Sequence, residues 1–158
     1  MESKDAMEVL GYAPYGCYLM TVSAGEEVNG MPLSLFMQAG FTPPLVACGV
    51  KHERRTHAMV KDAKAFAVVF LRKEQKELVE RFKKKGDTSS KFEGLTWRRA
   101  SLGSPVLSDC LGWVECKLTG EFEPGGEHTL FVGEVRQAEL VKPGPVLTIE
   151  DLGKVYRV

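Results

Sequence analysis

Two stretches of this chain combine residue types that can do chemistry. In Lys51-His52-Glu53-Arg54-Arg55-Thr56-His57, bases stand just before a helical pattern that runs through Lys64, with Thr56 placed as its N-cap. Helix dipoles favour acids at the N-terminus and disfavour bases there, so the order is inverted. An anion accounts for the inversion: a phosphate held by unpaired N–H groups of the helix start and by guanidinium donors from Arg54 or Arg55. A solvated basic loop accounts for the same residues equally well. The second stretch, Val28 to Ala47, sets Asn29-Gly30, Gly40 and Pro43-Pro44 among apolar residues. Gly and Pro can leave main-chain groups unpaired to bind the polar edge of a heterocycle, while Met31, Leu33 and Phe36 cover its apolar part. The alternative, which composition alone favours, is a hairpin with a bulge and a tight Pro-Pro turn.

Other chemistries find little support. Cys17, Cys48, Cys110 and Cys116 form no C-x-x-C pair and no zinc spacing, and three of them sit in apolar surroundings as expected of core residues in a reducing compartment. His52 and His57 are five apart, wrong for one helix face, so no metal site is expected. No Ser/His/Asp set or paired carboxylates stand out. With 21 basic and 21 acidic residues the chain has no electrostatic footprint for nucleic acid or anionic membranes. No apolar run approaches the ~20 residues of a membrane span. Met1 to Glu8 lacks a signal-peptide pattern, so a cytoplasmic location is expected. The 158 residues suit a single domain, 1–158.

The elements that must position these stretches read mainly as strands. Residues 4–12 predict a short helix ending at Gly11, Cys17 to Ser23 a strand, and Ala24 to Glu27 a hairpin loop. Leu45 to Val50 and Phe66 to Leu71 are continuous apolar runs, as in strands covered on both faces. Glu74 to Lys85 predicts an amphipathic helix with Leu78, Val79 and Phe82 on one face, i,i+4 pairs Glu77/Arg81 and Glu80/Lys84, and a stop at Gly86. Lys83-Lys84-Lys85 then reads as a solvated last turn. Asp87 to Arg99 reads as a surface loop around Phe92 and Trp97. Trp113 to Phe122 alternates, with Val114, Cys116, Leu118 and Phe122 on one face and Glu115, Lys117 and Thr119 on the other. Glu127 to Leu140 returns as a long strand, and 145–149 with 153–157 predict a short closing pair. Six or more strands joined mostly by hairpins, with two or three short helices, predict a closed or split antiparallel barrel.

Laid out in this order, the sequence resembles the flavin-reductase-like, FMN-binding split-barrel family over nearly its whole length. The residues that carry the resemblance are Pro14-Tyr15-Gly16, Asn29-Gly30-Met31 with Ser34, Gln38 and Phe41, Pro43-Pro44-Leu45-Val46, Thr56-His57, Lys91-Phe92-Glu93-Gly94-Leu95, and Gly126-Glu127-His128 through Val135. The resemblance implies a mainly β, Greek-key split antiparallel barrel, a homodimer, and FMN, or FAD, bound in a groove near the subunit interface. It implies that Asn29, Gly30, Met31, Ser34 and Gln38 line the flavin ring and that Lys51, Arg54, Thr56 and His57 bind the phosphate. Gly126-Glu127-His128 stands for a Gly-Asp-His motif, which gives His128 the role of binding or steering the nicotinamide. Pro32, Leu35 and Gly40 replace hydroxyl residues frequent in the family and remove donors to the flavin; Arg54 stands at a small hydroxyl position and supplies a charged donor instead.

The activity implied is hydride transfer from NAD(P)H to the flavin. The protein has only to stack two rings about 3–3.5 Å apart and keep water away, which agrees with the lack of an acid–base constellation. No Rossmann fingerprint is present, so a nicotinamide nucleotide would fold over the flavin in the groove. Two alternatives belong to other classes: an electron-transfer flavoprotein that passes electrons to an acceptor protein or metal complex, and a flavin-binding module without turnover.

Overall fold

Neighbouring residues of the first strand bury on opposite sides, and this alternation organises the molecule. The computed structural model describes residues 3–85 and 88–153. After helix α1 (Ser3–Leu10), which has no buried residue, strand β1 (Tyr18–Ala24) sends Leu19 into one hydrophobic cluster and Met20 and Val22 into another. β5 (Ala65–Phe70) does the same, with Phe66 and Val68 on one side and Ala67 and Val69 on the other. Its unbroken apolar sequence follows from being covered on both faces.

β2 (Glu27–Leu33), β3 (Phe36–Phe41), β4 (Pro44–Lys51), β8 (Gly112–Phe122) and β9 (His128–Leu140) complete an antiparallel sheet in the order β2-β1-β5-β8-β9-β4-β3. Its edges, β2 and β3, are joined by Ser34 and Leu35 alone. At about 3.5 Å per residue, so short a link forces the two edges together, and the sheet closes as a split barrel with its seam at Ser34-Leu35. The core confirms the closure: Met31 and Leu33 from one edge share a cluster with Val46, Cys48 and Val50 from the far side of the sheet, together with Phe66 and Phe131. Helix α2 (Arg55–Ala63) adds Met59 and Val60. Register shifts at Gln38/Gly40, Glu115/Cys116 and Leu118/Gly120 bend the strands that must curl most.

On the outer face, Leu19, Val69 and Trp113 pack against Leu78, Val79 and Phe82 of α3 (Lys76–Phe82) and against β6 (Trp97–Arg99) and β7 (Pro105–Leu107), which form a separate two-stranded ribbon. The ribbon explains Glu115. Alternation predicts a solvated side chain, yet it is fully buried because the turn before β7 folds over it, and its carboxylate accepts from Ser101 Oγ and from the Leu102 and Ser104 amides.

The Val28–Ala47 stretch forms the bulged hairpin and tight turn that composition favours, with β3 meeting β4 across Phe41 and Pro44. Other expectations need correction. Thr56 does not cap α2: the capping position is Arg54, without a side-chain bond, and Thr56 lies buried inside the first turn, paired to Asn29. Helix α3 is shorter than its amphipathic pattern, its N-cap position Gln75 makes no side-chain capping bond, and Glu80 pairs with Lys83 rather than Lys84. Residues 88–99 are not simply surface loop; Phe92 is buried against Phe82, and Trp97 opens β6. The expected partner of residues 145–149, the segment 153–157, falls almost wholly outside the described residues. Within the described residues, Val146 and Thr148 bridge to Arg72 and Gly16, and the expected helix stop at Gly86 also lies outside the described residues. Among the described residues no helix is long and apolar enough to cross a membrane.

Candidate functional site

The seam of the barrel opens a cleft of about 520 Å³. Ser34 and Leu35 form one lip, Ala47 and Gly49 of β4 line it, and the β8–β9 turn brings Gly126, His128, Thr129 and Leu130 to the opposite side. Tyr18 and Phe36, which also line it, belong to an aromatic group with Phe70, with ring centroids 4.7, 4.8 and 5.6 Å apart. Gly16 is required here because a Cβ would run into the Tyr18 ring. The Gly49 amide donates to the Leu35 carbonyl at 2.8 Å, which fixes the lip against β4. The walls are predominantly apolar, with a few polar groups at the rim, the composition of a site for a flat organic ring.

Where β4 runs into α2, a smaller cavity of about 150 Å³ is lined by Asn29, Glu53, Arg54, Thr56, Thr88 and the basic residues Arg55, Lys84, Lys85 and Lys91. Arg55 is already neutralised by Glu27, through bonds of 2.7 and 3.1 Å. Lys91 is buried, and its ammonium donates to Asn29 Oδ1 at 2.9 Å and the Gly30 carbonyl at 2.8 Å, both uncharged. Burial, then the nearby Arg54 charge, lowers the Lys91 pKa from 10.5 to about 8. Asn29 completes the node: its Oδ1 also accepts from the Gly30 amide at 2.8 Å, and its Nδ2 donates to Thr56 at 3.4 Å. Gly30 is needed because an added Cβ would lie 2.8 Å from the Phe82 ring. An excess of partly desolvated positive charge at a helix start is the donor set of an anion site. Gly49 of the cleft and Glu53 of the pocket are four residues apart in sequence, so no more than ~15 Å separates them.

The predicted residues distribute over this geometry as follows. Ser34 and His128 line the cleft, and Asn29, Arg54 and Thr56 line the basic pocket. Gly30 reaches the pocket through the carbonyl held by Lys91. Met31 points into the barrel core, Gln38 is exposed and donates to the Gly40 carbonyl, and Lys51 is exposed at the end of β4. His57 lines neither cavity; it stands behind the cleft wall, its Nε2 2.7 Å from Thr129 Oγ1. Burial, then the charges of His52 and Lys61, hold its pKa below the ordinary histidine value. Leu35, one of the hydroxyl replacements, forms the apolar lip. Residues that sequence reasoning did not place at a site include Lys84, Lys85, Lys91, Tyr18 and Thr129. For the two helix-end lysines the triple-Lys run was the visible signal; nothing local announced that Lys91 would be buried.

A profile of the flavin reductase like domain matches residues 10–151. The chain belongs to the flavin reductase-like family. It is 29% identical to a flavin reductase of Pseudomonas putida over 133 residues, covering 84% of this chain and 76% of that protein. It is 32% identical to a ferric-chelate reductase (NAD(P)H) of Archaeoglobus fulgidus over 140 residues, covering 87% and 82%. Among solved structures, the NADH:FAD oxidoreductase SgcE6 of Streptomyces globisporus, in complex with NAD and FAD fragments, superposes with a TM-score of 0.78 at 28% identity, covering 89% of this chain and 85% of that one. The seam cleft and basic pocket are thus features of a flavin reductase-like barrel.

Proposed function

We infer that this protein is an NAD(P)H:flavin oxidoreductase whose seam cleft takes the flavin ring of FMN, or of FAD, and whose basic pocket takes the phosphate. The observation that carries this reading is the adjacency of the two cavities along β4: an apolar slot and an anion site, separated by a few residues, match a ring system and a phosphate joined by a short polyol chain. When bound, the flavin supplies the ring that accepts hydride from the nicotinamide. Tyr18, Leu35, Phe36 and Leu130 exclude water from that ring, and the Ser34 hydroxyl offers a hydrogen bond to its polar edge. Arg54, Lys84 and Lys91 supply charge-assisted donors to the phosphate, and Asn29 holds Lys91 in place. His128, at the rim opposite Ser34, orients the nicotinamide. The direct test is anaerobic: purified protein with FMN or FAD should bleach the flavin absorption on addition of NADH or NADPH, and no bleaching with either nucleotide would exclude the assignment.

We also infer a homodimer. Edge strand β3 leaves Met37 60% and Phe41 85% exposed, and Met37 lines the cleft, so a second copy on this edge would cover apolar surface and close the slot. Sedimentation equilibrium with flavin present should report the dimer mass at micromolar protein; a monomer alone would remove the shared site. Relatives include the reductase subunit of a flavin-dependent monooxygenase and the reductase component of a 4-hydroxyphenylacetate 3-monooxygenase, which supports an acceptor protein that receives the reduced flavin. The four cysteines, all buried and in no disulfide, suit a cytoplasmic location.

A further inference from the structure

His52, His57 and Glu123 come from three separate elements and converge beside the cleft. His52 follows β4, His57 lies on α2, and Glu123 follows β8. One ligand-capable atom of each lies within 4.8 Å of the other two. The imidazole rings are perpendicular, with centroids 5.4 Å apart. The five-residue spacing argues against a shared site only if both histidines lie on one helix; His52 lies in the turn before α2, and that turn folds it back.

We propose that His52, His57 and Glu123 bind one divalent transition-metal ion of the zinc or cobalt type. Two imidazole nitrogens and one carboxylate oxygen are a donor set suited to such ions, and three protein ligands leave a coordination position open. The groups form a hydrogen-bonded chain: His52 Nε2 donates to Glu123 Oε2 at 2.8 Å, Thr129 donates to Glu123 Oε1 at 2.5 Å, and His57 Nε2 donates to Thr129 Oγ1 at 2.7 Å. An ion that replaces the protons on the two imidazoles would sit between Glu123 Oε2 and the ring nitrogens, leaving the Thr129 bond to Oε1 to orient the carboxylate from behind. Tetrahedral ligand atoms around zinc stand about 3.4 Å apart, so separations of up to 4.8 Å must contract by as much as about 1.4 Å. His52 and Glu123, with side chains 45% and 57% exposed, can make that adjustment, while His57 is held by packing on Phe131. Bound there, the ion would tie the β8–β9 turn, which lines the cleft, to the start of α2.

The site is independent of flavin and is tested on flavin-free protein. Titration with Co²⁺ should give a saturable visible ligand-field absorption at one ion per chain, displaced by Zn²⁺, and Zn²⁺ should raise the melting temperature. Because His52 and Glu123 are exposed, His52→Ala and Glu123→Gln should leave the metal-free fold and melting temperature intact while weakening Co²⁺ binding by about tenfold or more, as should His57→Ala. His128→Ala should bind Co²⁺ as wild type does. No saturable absorption, wild-type binding by both His52→Ala and Glu123→Gln, loss of binding in His128→Ala alone, or a thiolate charge-transfer band would each overturn the proposal.

Discussion

The apolar cleft and the basic pocket lie at the same end of β4 but are built in opposite ways. The cleft is a by-product of strand geometry. Its walls are residues that also anchor the barrel, such as Tyr18 and Phe36 in their aromatic group, and its lip is held by a backbone hydrogen bond from Gly49 to Leu35. The pocket is assembled from side chains of β2, the β4–α2 turn, the end of α3 and the segment before β6, and its central cation is buried against neutral oxygens. A site made by the backbone is pre-shaped at little further cost. A site made by gathered charges is held against mutual repulsion and desolvation, and becomes favourable when an anion enters. The cleft should therefore respond to shape and the pocket to charge.

Substitutions can break this division of labour. The largest expected effect is Arg54→Ala, which removes a charge-assisted donor: FMN affinity should fall by ~1.5–3 kcal/mol, about ten- to a hundredfold, with riboflavin spared. Parallel fluorescence titrations of the two flavins check it, and equal losses would mean that Arg54 does not read the phosphate. Phe36→Ala should act in the complementary way, weakening FMN and riboflavin alike by ~1.5 kcal/mol, about tenfold, because it removes ring contact rather than charge.

A smaller effect should appear with pH. The Lys91 pKa of about 8 lies below the 10.5 of an ordinary lysine. A phosphate beside it stabilises the ammonium and raises that value in the complex, so above pH 8 binding must take up a proton that the free pocket has lost. FMN affinity should then fall a few-fold between pH 8 and pH 9, at roughly tenfold per unit as the limit for one proton, while riboflavin stays flat. In Arg54→Ala the onset should move to higher pH, since the Arg54 charge helps to depress Lys91. A pH titration of both flavins with both proteins decides this. The smallest effect is at the rim. His128→Ala should leave FMN affinity nearly unchanged and slow anaerobic reduction by NAD(P)H about fivefold, equivalent to ~1 kcal/mol for one lost hydrogen bond. Reduction at the wild-type rate would leave His128 a plain residue at the start of β9.

Much of the strand framework was legible because burial leaves periodic traces. The run Leu45 to Val50 and the run Phe66 to Leu71 carry almost no polar residue because both faces of β4 and β5 are covered, and the resemblance set Arg54 and Thr56 together at the phosphate; Asn29, which it set at the flavin ring, lines that same basic pocket. Glu115 was misread because its burial is caused by a turn that precedes β7, ten or more residues away, which no local alternation encodes. Lys91 escaped for the same reason: its neutral partners, Asn29 Oδ1 and the Gly30 carbonyl, are some sixty residues upstream.

By itself, the sequence determined where β1, β4, β5, β8 and β9 run, that bases crowd the start of α2, and, through the resemblance, that the chain belongs among flavin-reductase-like barrels, since these follow from local spacing and the order of residue types. Only the tertiary structure decided that Ser34-Leu35 is the seam where the slot opens, that Lys91 rather than Lys51 sits in the pocket, and that His52, His57 and Glu123 meet. These depend on how a seven-stranded sheet curls until its first and last strands are neighbours. Closure brings together groups distant in sequence, and the energy that selects them is the burial of the shared core.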